Sequence, residues 1–173
     1  LPAIKADLDL TDTQLGWITG LAFTLFYATL GIPIARLADR YSRRRIIAAA
    51  LAFWSLMTAA CGLAQNFLQL LIARVLVGAG EAGASPPSHS LIADLFPARE
   101  RGRALSVFAL GAAVGILVGF ALGGWLVEQY SWRTALFVVA VPGMLLAVAA
   151  LRRLPDPSRG ALDGLSAPPA QIS

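Results

Sequence analysis

Long apolar runs alternate along this chain with short polar segments, most of them basic. A bilayer core of about 30 Å takes roughly 20 apolar helical residues at 1.5 Å each, so the runs can be measured against that length. Five are long enough: Leu15 to Ala38, Ile46 to Leu63, Leu68 to Leu95, Ala104 to Val127 and Thr134 to Leu151. The pattern predicts an all-α integral membrane bundle of five spans. Ahead of the first, "KADLDLTDTQLGW" offers Thr11 or Asp12 as a helix N-cap, and Leu1 to Ile4 reads as the tail of an earlier span. "AQNF", between the second and third runs, is only a tight turn. Residues 155–173, "PDPSRGALDGLSAPPAQIS", carry no apolar period and read as the start of a mobile linker, leaving residues 1–154 as a partial transmembrane bundle. With Leu1 as its first residue, the chain reads as a fragment of a longer protein.

Composition agrees with the pattern. Hydrophobic residues make up 57% of the 173 and charged residues 14%, with a mean hydropathy of +0.69, where a soluble domain carries about a quarter charged residues. A net charge of +4 would suggest nucleic acid only if the basic residues gathered on one soluble face. They do not. Arg36, Arg40, Arg43, Arg44 and Arg45 follow the first span, Arg99, Arg101 and Arg103 the third, and Arg152, Arg153 and Arg159 the fifth. The intervening loops hold only Lys5 and Arg133, so the positive-inside rule places the three basic loops in the cytoplasm. Cys61 sits alone inside an apolar run and has no internal disulfide partner.

The third run contains Gly78-Ala-Gly80-Glu-Ala-Gly83, which spells the G-x-G-x-x-G of a dinucleotide site. Its context excludes that use. "FLQLLIARVLV" is too long for the preceding strand, Glu81 would face the phosphates, and Pro86 and Pro87 would break the following helix at its first turn. Read as a membrane helix, the same stretch puts Arg74, Gly78, Glu81, Ser85 and His89 within about 60 degrees of one another until the prolines bend it. Arg74 and Glu81 are two turns apart, about 10 Å along the axis. Ionisable residues inside a span face a bundle interior or an aqueous cavity, so the pair either handles substrate and protons or forms an internal salt bridge. Gly78, Gly80 and Gly83 allow close helix approach or flexing, and Gly111, Gly115, Gly119 and Gly123, with Gly124 beside the last, make a ridge-free face on the fourth span. That face serves static packing or a sliding contact. No metal-ligand cluster is apparent, and nothing implies an organic cofactor. Ser85 lies in "GASPP" rather than a nucleophile elbow, and the only histidine, His89, is one turn away, so the chain does not read as an enzyme.

Several of these stretches together resemble the major facilitator superfamily of secondary transporters. "ARLADRYSRRR" is similar to that superfamily's loop signature, with Ala35 and Ser42 in place of two glycines and the charged skeleton Asp39, Arg40, Arg43 and Arg44 kept. "RVLVGAGEAG" resembles its fourth-helix pattern, "GILVGFALGG" its fifth-helix pattern with Phe120 in place of proline, and "SWRTALF" the entry to its sixth helix. "GEAGASPPSHSLIADLFPARERGRALSVF" and "VPGMLLAVAALRRLPDPSRG" look most like the Spinster branch, whose members move lysophospholipids or sphingosine phosphate. An anion-cation symporter branch, which carries organic anions, shares a similar fourth helix.

The resemblance implies that the spans are helices two to six of twelve, that the linker is the central cytoplasmic loop, and that the protein sits in the cell membrane. It implies transport of a small organic or amphipathic substrate by alternating access, coupled to protons. The partners are then the bilayer, the substrate, protons, and the missing first helix and second half of the same protein. In that frame Glu81 is the candidate coupling residue, Arg74 could attract an anionic head group, and Tyr27 reaches the cavity or only packs. Ser85 and His89 stand on the same stripe. Asp39 would pair with the other half, and Arg43 would reach Asp94. A membrane scaffold or receptor that had kept the fold and lost transport remains the alternative.

Overall fold

The computed structural model describes residues 1–160 and 162, without the side chains of residues 21–23, 35 and 37–39. Among the described residues all regular structure is helical. The helices are α1 (Pro2–Asp7), α2 (Asp12–Gly16), α3 (Ala22–Arg40), α4 (Arg43–Leu63), α5 (Phe67–Ala82), α6 (Ser85–Leu95), α7 (Ala98–Gln129) and α8 (Trp132–Arg153). A π-helical turn, Trp17–Leu21, joins α2 to α3. Five stretches are long and apolar enough to cross a membrane: Asp12–Ile34, Arg43–Leu63, Phe67–Leu95, Ala98–Gln129 and Trp132–Arg153. The spans thus agree in number with the five apolar runs, but the fourth, Ala98–Gln129, starts a turn and a half ahead of Ala104 and ends close to Val127.

Local chemistry explains where the helices start. Thr11 rather than Asp12 caps α2: its hydroxyl accepts from the Gln14 amide at 3.2 Å while the Gln14 side-chain oxygen accepts from the Thr11 amide at 2.9 Å. That reciprocal pair satisfies two orphan N–H groups. Ser42, Asn66 and Ser131 cap α4, α5 and α8 in the simpler way, accepting from the amides of Arg45, Gln69 and Thr134.

The third span is two helices. α5 ends at Gly83 and Ala84, whose amides donate back to Gly80 and Glu81 in tightened turns, and α6 then begins with its prolines in the first turn. Pro86 and Pro87 therefore start a helix rather than bend one, because a first-turn amide has no partner to lose.

α4 is the hub, packing most heavily against α8 and then α5, while α3 lies along α5. Glycine makes these contacts close. A Cβ on Gly80 would stand 2.8 Å from the Trp54 Cβ, and one on Gly83 would stand 3.0 Å from the Ala50 Cβ. α7 is the outlier. Only Leu126 of its residues is buried, and a Cβ on Gly111, Gly115, Gly119, Gly123 or Gly124 would meet nothing within 4 Å.

At the end of the bundle holding α1, Arg133 does more than mark an orientation. It donates to the Ala64 carbonyl at 2.6 Å and the Gly62 carbonyl at 3.2 Å, pairs with Asp7 at 2.8 Å, and lies 4.2 Å from the Trp132 ring centre. The Trp132 indole N–H also donates to Asp7 at 3.2 Å, so α1, the α4–α5 turn and the start of α8 are tied together. Beneath this knot lies a core of Leu10, Ile18, Cys61, Ala64, Leu70, Ala73 and Val77.

Candidate functional site

A cavity of about 320 Å³ opens between α3, α4, α5, α6 and α7. Tyr27 of α3, Ile47, Leu51 and Trp54 of α4, Glu81, Ala84, Ser85 and Ser88, and Phe108 of α7 line it. Glu81 reaches the cavity because Gly80, beside it, lets the last turn of α5 lie directly on the Trp54 backbone and Cβ. Among the described residues the Glu81 carboxylate makes no hydrogen bond or ion pair.

The five-residue stripe expected on one face does not survive as a unit. Glu81 and Ser85 line the cavity and Tyr27 joins them, whereas Arg74 does not. Its charge acts on both Cys61 and Glu81, yet no ion pair joins Arg74 to Glu81. Gly78 is buried within α5. His89 is exposed, its ring 5.3 Å from that of Phe108 in an edge-on arrangement, and it does not line the cavity. The physical reason is the break at Gly83 and Ala84: a stripe computed for one straight helix loses its phase there, and the polar face continues through Ser88 instead of His89. Sequence reasoning missed Trp54, Phe108 and Ser88. The spacing of Ile47, Leu51 and Trp54, four and then three residues, marks one helix face, but only a neighbouring helix could show that it faces Glu81. Among the described residues no group of three or more His, Cys, Asp or Glu side chains is placed to hold a metal ion.

A second polar cluster closes the opposite, arginine-rich end. Arg43, 2% exposed, pairs with Asp94 and donates to the Ser90 hydroxyl at 3.1 Å and the Pro157 carbonyl at 2.7 Å. Its Nε lies 3.7 Å from Asp156. The Ser42 hydroxyl donates to Asp156 at 2.5 Å, the Gly160 amide donates to Asp94 at 3.0 Å, and Arg159 donates to the Tyr41 carbonyl at 3.4 Å. Residues 155–160, expected to be mobile from their composition, are thus strapped across the ends of α4 and α6. Of the other members of the loop signature, Arg40 is exposed, and the Nε of Arg44 is buried without a partner among the described residues. The side chain of Asp39 lies outside the described residues.

Comparison with known proteins agrees with this geometry. Residues 1–173 match the Major Facilitator Superfamily. Over 158 residues the chain is 37% identical to an MFS-type efflux pump of Mycolicibacterium smegmatis, covering 88% of this chain and 37% of the pump. It is 35% identical over 166 residues to protein spinster homolog 1 of Xenopus laevis, covering 94% of this chain and 31% of that protein. The crystal structure of a bacterial homologue of the human lysosomal transporter Spinster, inward-facing and unoccupied, superposes with a TM-score of 0.76 at 36% identity, covering 91% of this chain and 38% of the other. The chain therefore spans well under half the length of these relatives. With its five apolar helices and a match along its whole length, the chain is part of a multi-pass membrane protein and belongs to the Major Facilitator Superfamily.

Proposed function

We propose that the whole protein is a secondary active transporter, working by alternating access and coupled to protons, for a small amphipathic organic substrate of lysolipid type. The names of its relatives support transport, and the likeness to Spinster proteins supports the substrate type. The observation that carries the reading is Glu81: a carboxylate that makes no hydrogen bond or ion pair among the described residues, lining a mostly apolar cavity inside a membrane span. An isolated charge there is costly and marks functional sites. A proton, or a group on the substrate, relieves that cost in one conformation and not in another, which is the coupling a secondary transporter needs.

The basic loops are cytoplasmic in this reading, in the cell membrane, by the excess of arginine on that side. The Arg43 cluster then holds the cytoplasmic ends of α4 and α6 as one unit, against which Asp39 and the second half of the protein close. Breaking the cluster shifts the balance of inward and outward states by roughly 1 to 3 kcal/mol.

The test is flux. In proteoliposomes containing the full-length protein, an imposed pH gradient drives substrate accumulation, and Glu81→Gln abolishes the accumulation while membrane insertion is normal. Undiminished accumulation in the variant removes Glu81 from coupling; no flux across a broad substrate panel favours a scaffold.

A further inference from the structure

α6 is held differently from the helices around it. It is hinged where α5 ends, at the turns of Gly83 and Ala84, and within this chain only Pro87 and Leu91 of its 11 residues are buried. Its far end is gripped by one side chain: the Arg43 guanidinium of α4 pairs with Asp94 and donates to the Ser90 hydroxyl and carbonyl. Between hinge and grip, α6 is the shared wall of two cavities. Ser85 and Ser88 line the Glu81 cavity, and Ser88, Leu91, Ile92 and Leu95 line an adjoining one of about 450 Å³.

The grip depends on the strap. Residues 156–160 supply the Pro157 carbonyl to Arg43 Nη2, the Asp156 carboxylate beside Arg43 Nε and the Gly160 amide to Asp94 Oδ1. With the strap away, these atoms lose those partners and water reaches the pair; a buried network held by every member then becomes an exposed ion pair, which contributes little. The strap itself can let go. Residues 154–160 form no helix or strand, Asp156, Ser158 and Arg159 are exposed, and each contact is a single bond. Gly160 stands at φ 68°, a conformation in which a side chain is strained.

We propose that residues 156–160 are a latch: closed over Arg43 and Asp94 they fix the far end of α6, and released they let α6 swing about Gly83 and Ala84 and reshape both cavities. As control of the Glu81 cavity the latch rests on the transport reading; as a mechanical device it is tested without flux. Hydrogen–deuterium exchange is followed by mass spectrometry in full-length protein in nanodiscs, where the Gly160 amide, bonded to Asp94, reports the latch itself. Asp156→Ala removes the contacts with Ser42 and Arg43 but leaves the α4 cap, and Gly160→Ala strains the other end. Each variant speeds exchange over residues 155–160 and, by at least about fivefold, over residues 85–95, against less than about twofold over residues 67–78 of α5. Ser158→Ala, at an exposed position of the strap, changes neither. Fast exchange of the strap in the unaltered protein, no strap opening in either variant, strap opening that leaves α6 unmoved, or equal loosening of α5 and α6 overturns the proposal. Flux in a protein whose α6 ignores the strap sinks the latch alone; a working latch in a protein without flux sinks the transport reading alone.

Discussion

α5 and α7 carry the same kind of glycine pattern and use it in opposite ways. On α5, Gly80 and Gly83 are closed against α4, where an added Cβ would lie 2.8 Å from Trp54 and 3.0 Å from Ala50. On α7, Gly111, Gly115, Gly119, Gly123 and Gly124 face open space within this chain. A small-residue face therefore states that backbones can approach, not that they have done so. The closed face has a consequence for chemistry, since it fixes Glu81 beside Trp54. The open face of α7 is available to the rest of the whole protein, of which this chain is well under half by comparison with its relatives.

The contrast can be broken or sharpened by substitution in the full-length protein, read as thermal unfolding in detergent. Arg43→Leu should be the most damaging change in the closed region, about 3 to 5 kcal/mol, because it leaves Asp94 without its buried partner. A shift no larger than that of Arg45→Leu, an exposed neighbour, would show that the cluster does not hold α4 to α6. Gly80→Val should follow at about 2 to 3 kcal/mol, since the overlap falls on the backbone and Cβ of Trp54, which cannot move aside. Near-normal melting would mean that α4 and α5 stand farther apart than described.

Ser42→Ala should cost about 1 kcal/mol, through loss of the α4 cap and the bond to Asp156. Proteolysis within residues 155–160 should speed up in parallel; an unchanged cleavage rate would separate the strap from the cap. Smallest is Gly115→Ala, which should be neutral or stabilising by up to about 1 kcal/mol, because alanine is the better helix former and its Cβ meets no neighbour in this chain. Destabilisation as large as that of Gly80→Val would break the comparison, by showing that the rest of the protein closes on α7 as tightly as α4 closes on α5.

Several features were legible along the chain because they are local. A span is a length of apolar helix, and a cap is a side chain within three residues of the amide it serves. Other features depended on partners far away. Asp156 meets Ser42 across 114 residues, so composition made residues 155–160 look like a loose linker. Trp54, Phe108 and Ser88 read as ordinary packing positions until α4, α6 and α7 surrounded Glu81. The stripe failed at His89 for a narrower reason: its phase assumed one straight helix, and the turns at Gly83 and Ala84 divide that helix into two, whereas Arg74, on the same unbroken α5 as Glu81, lies two turns away along it.

The one-dimensional pattern was enough for the five spans, the all-helical class and the uneven arginine loops, since the bilayer imposes length, apolarity and charge bias on each segment separately. Packing in three dimensions chose which polar residues share a cavity, which glycines are occupied, and that Glu81 rather than the Arg74–Glu81 pair stands on the cavity wall. Those outcomes depend on the distance and rotation between helices, and helical periodicity within any one segment carries no information about either.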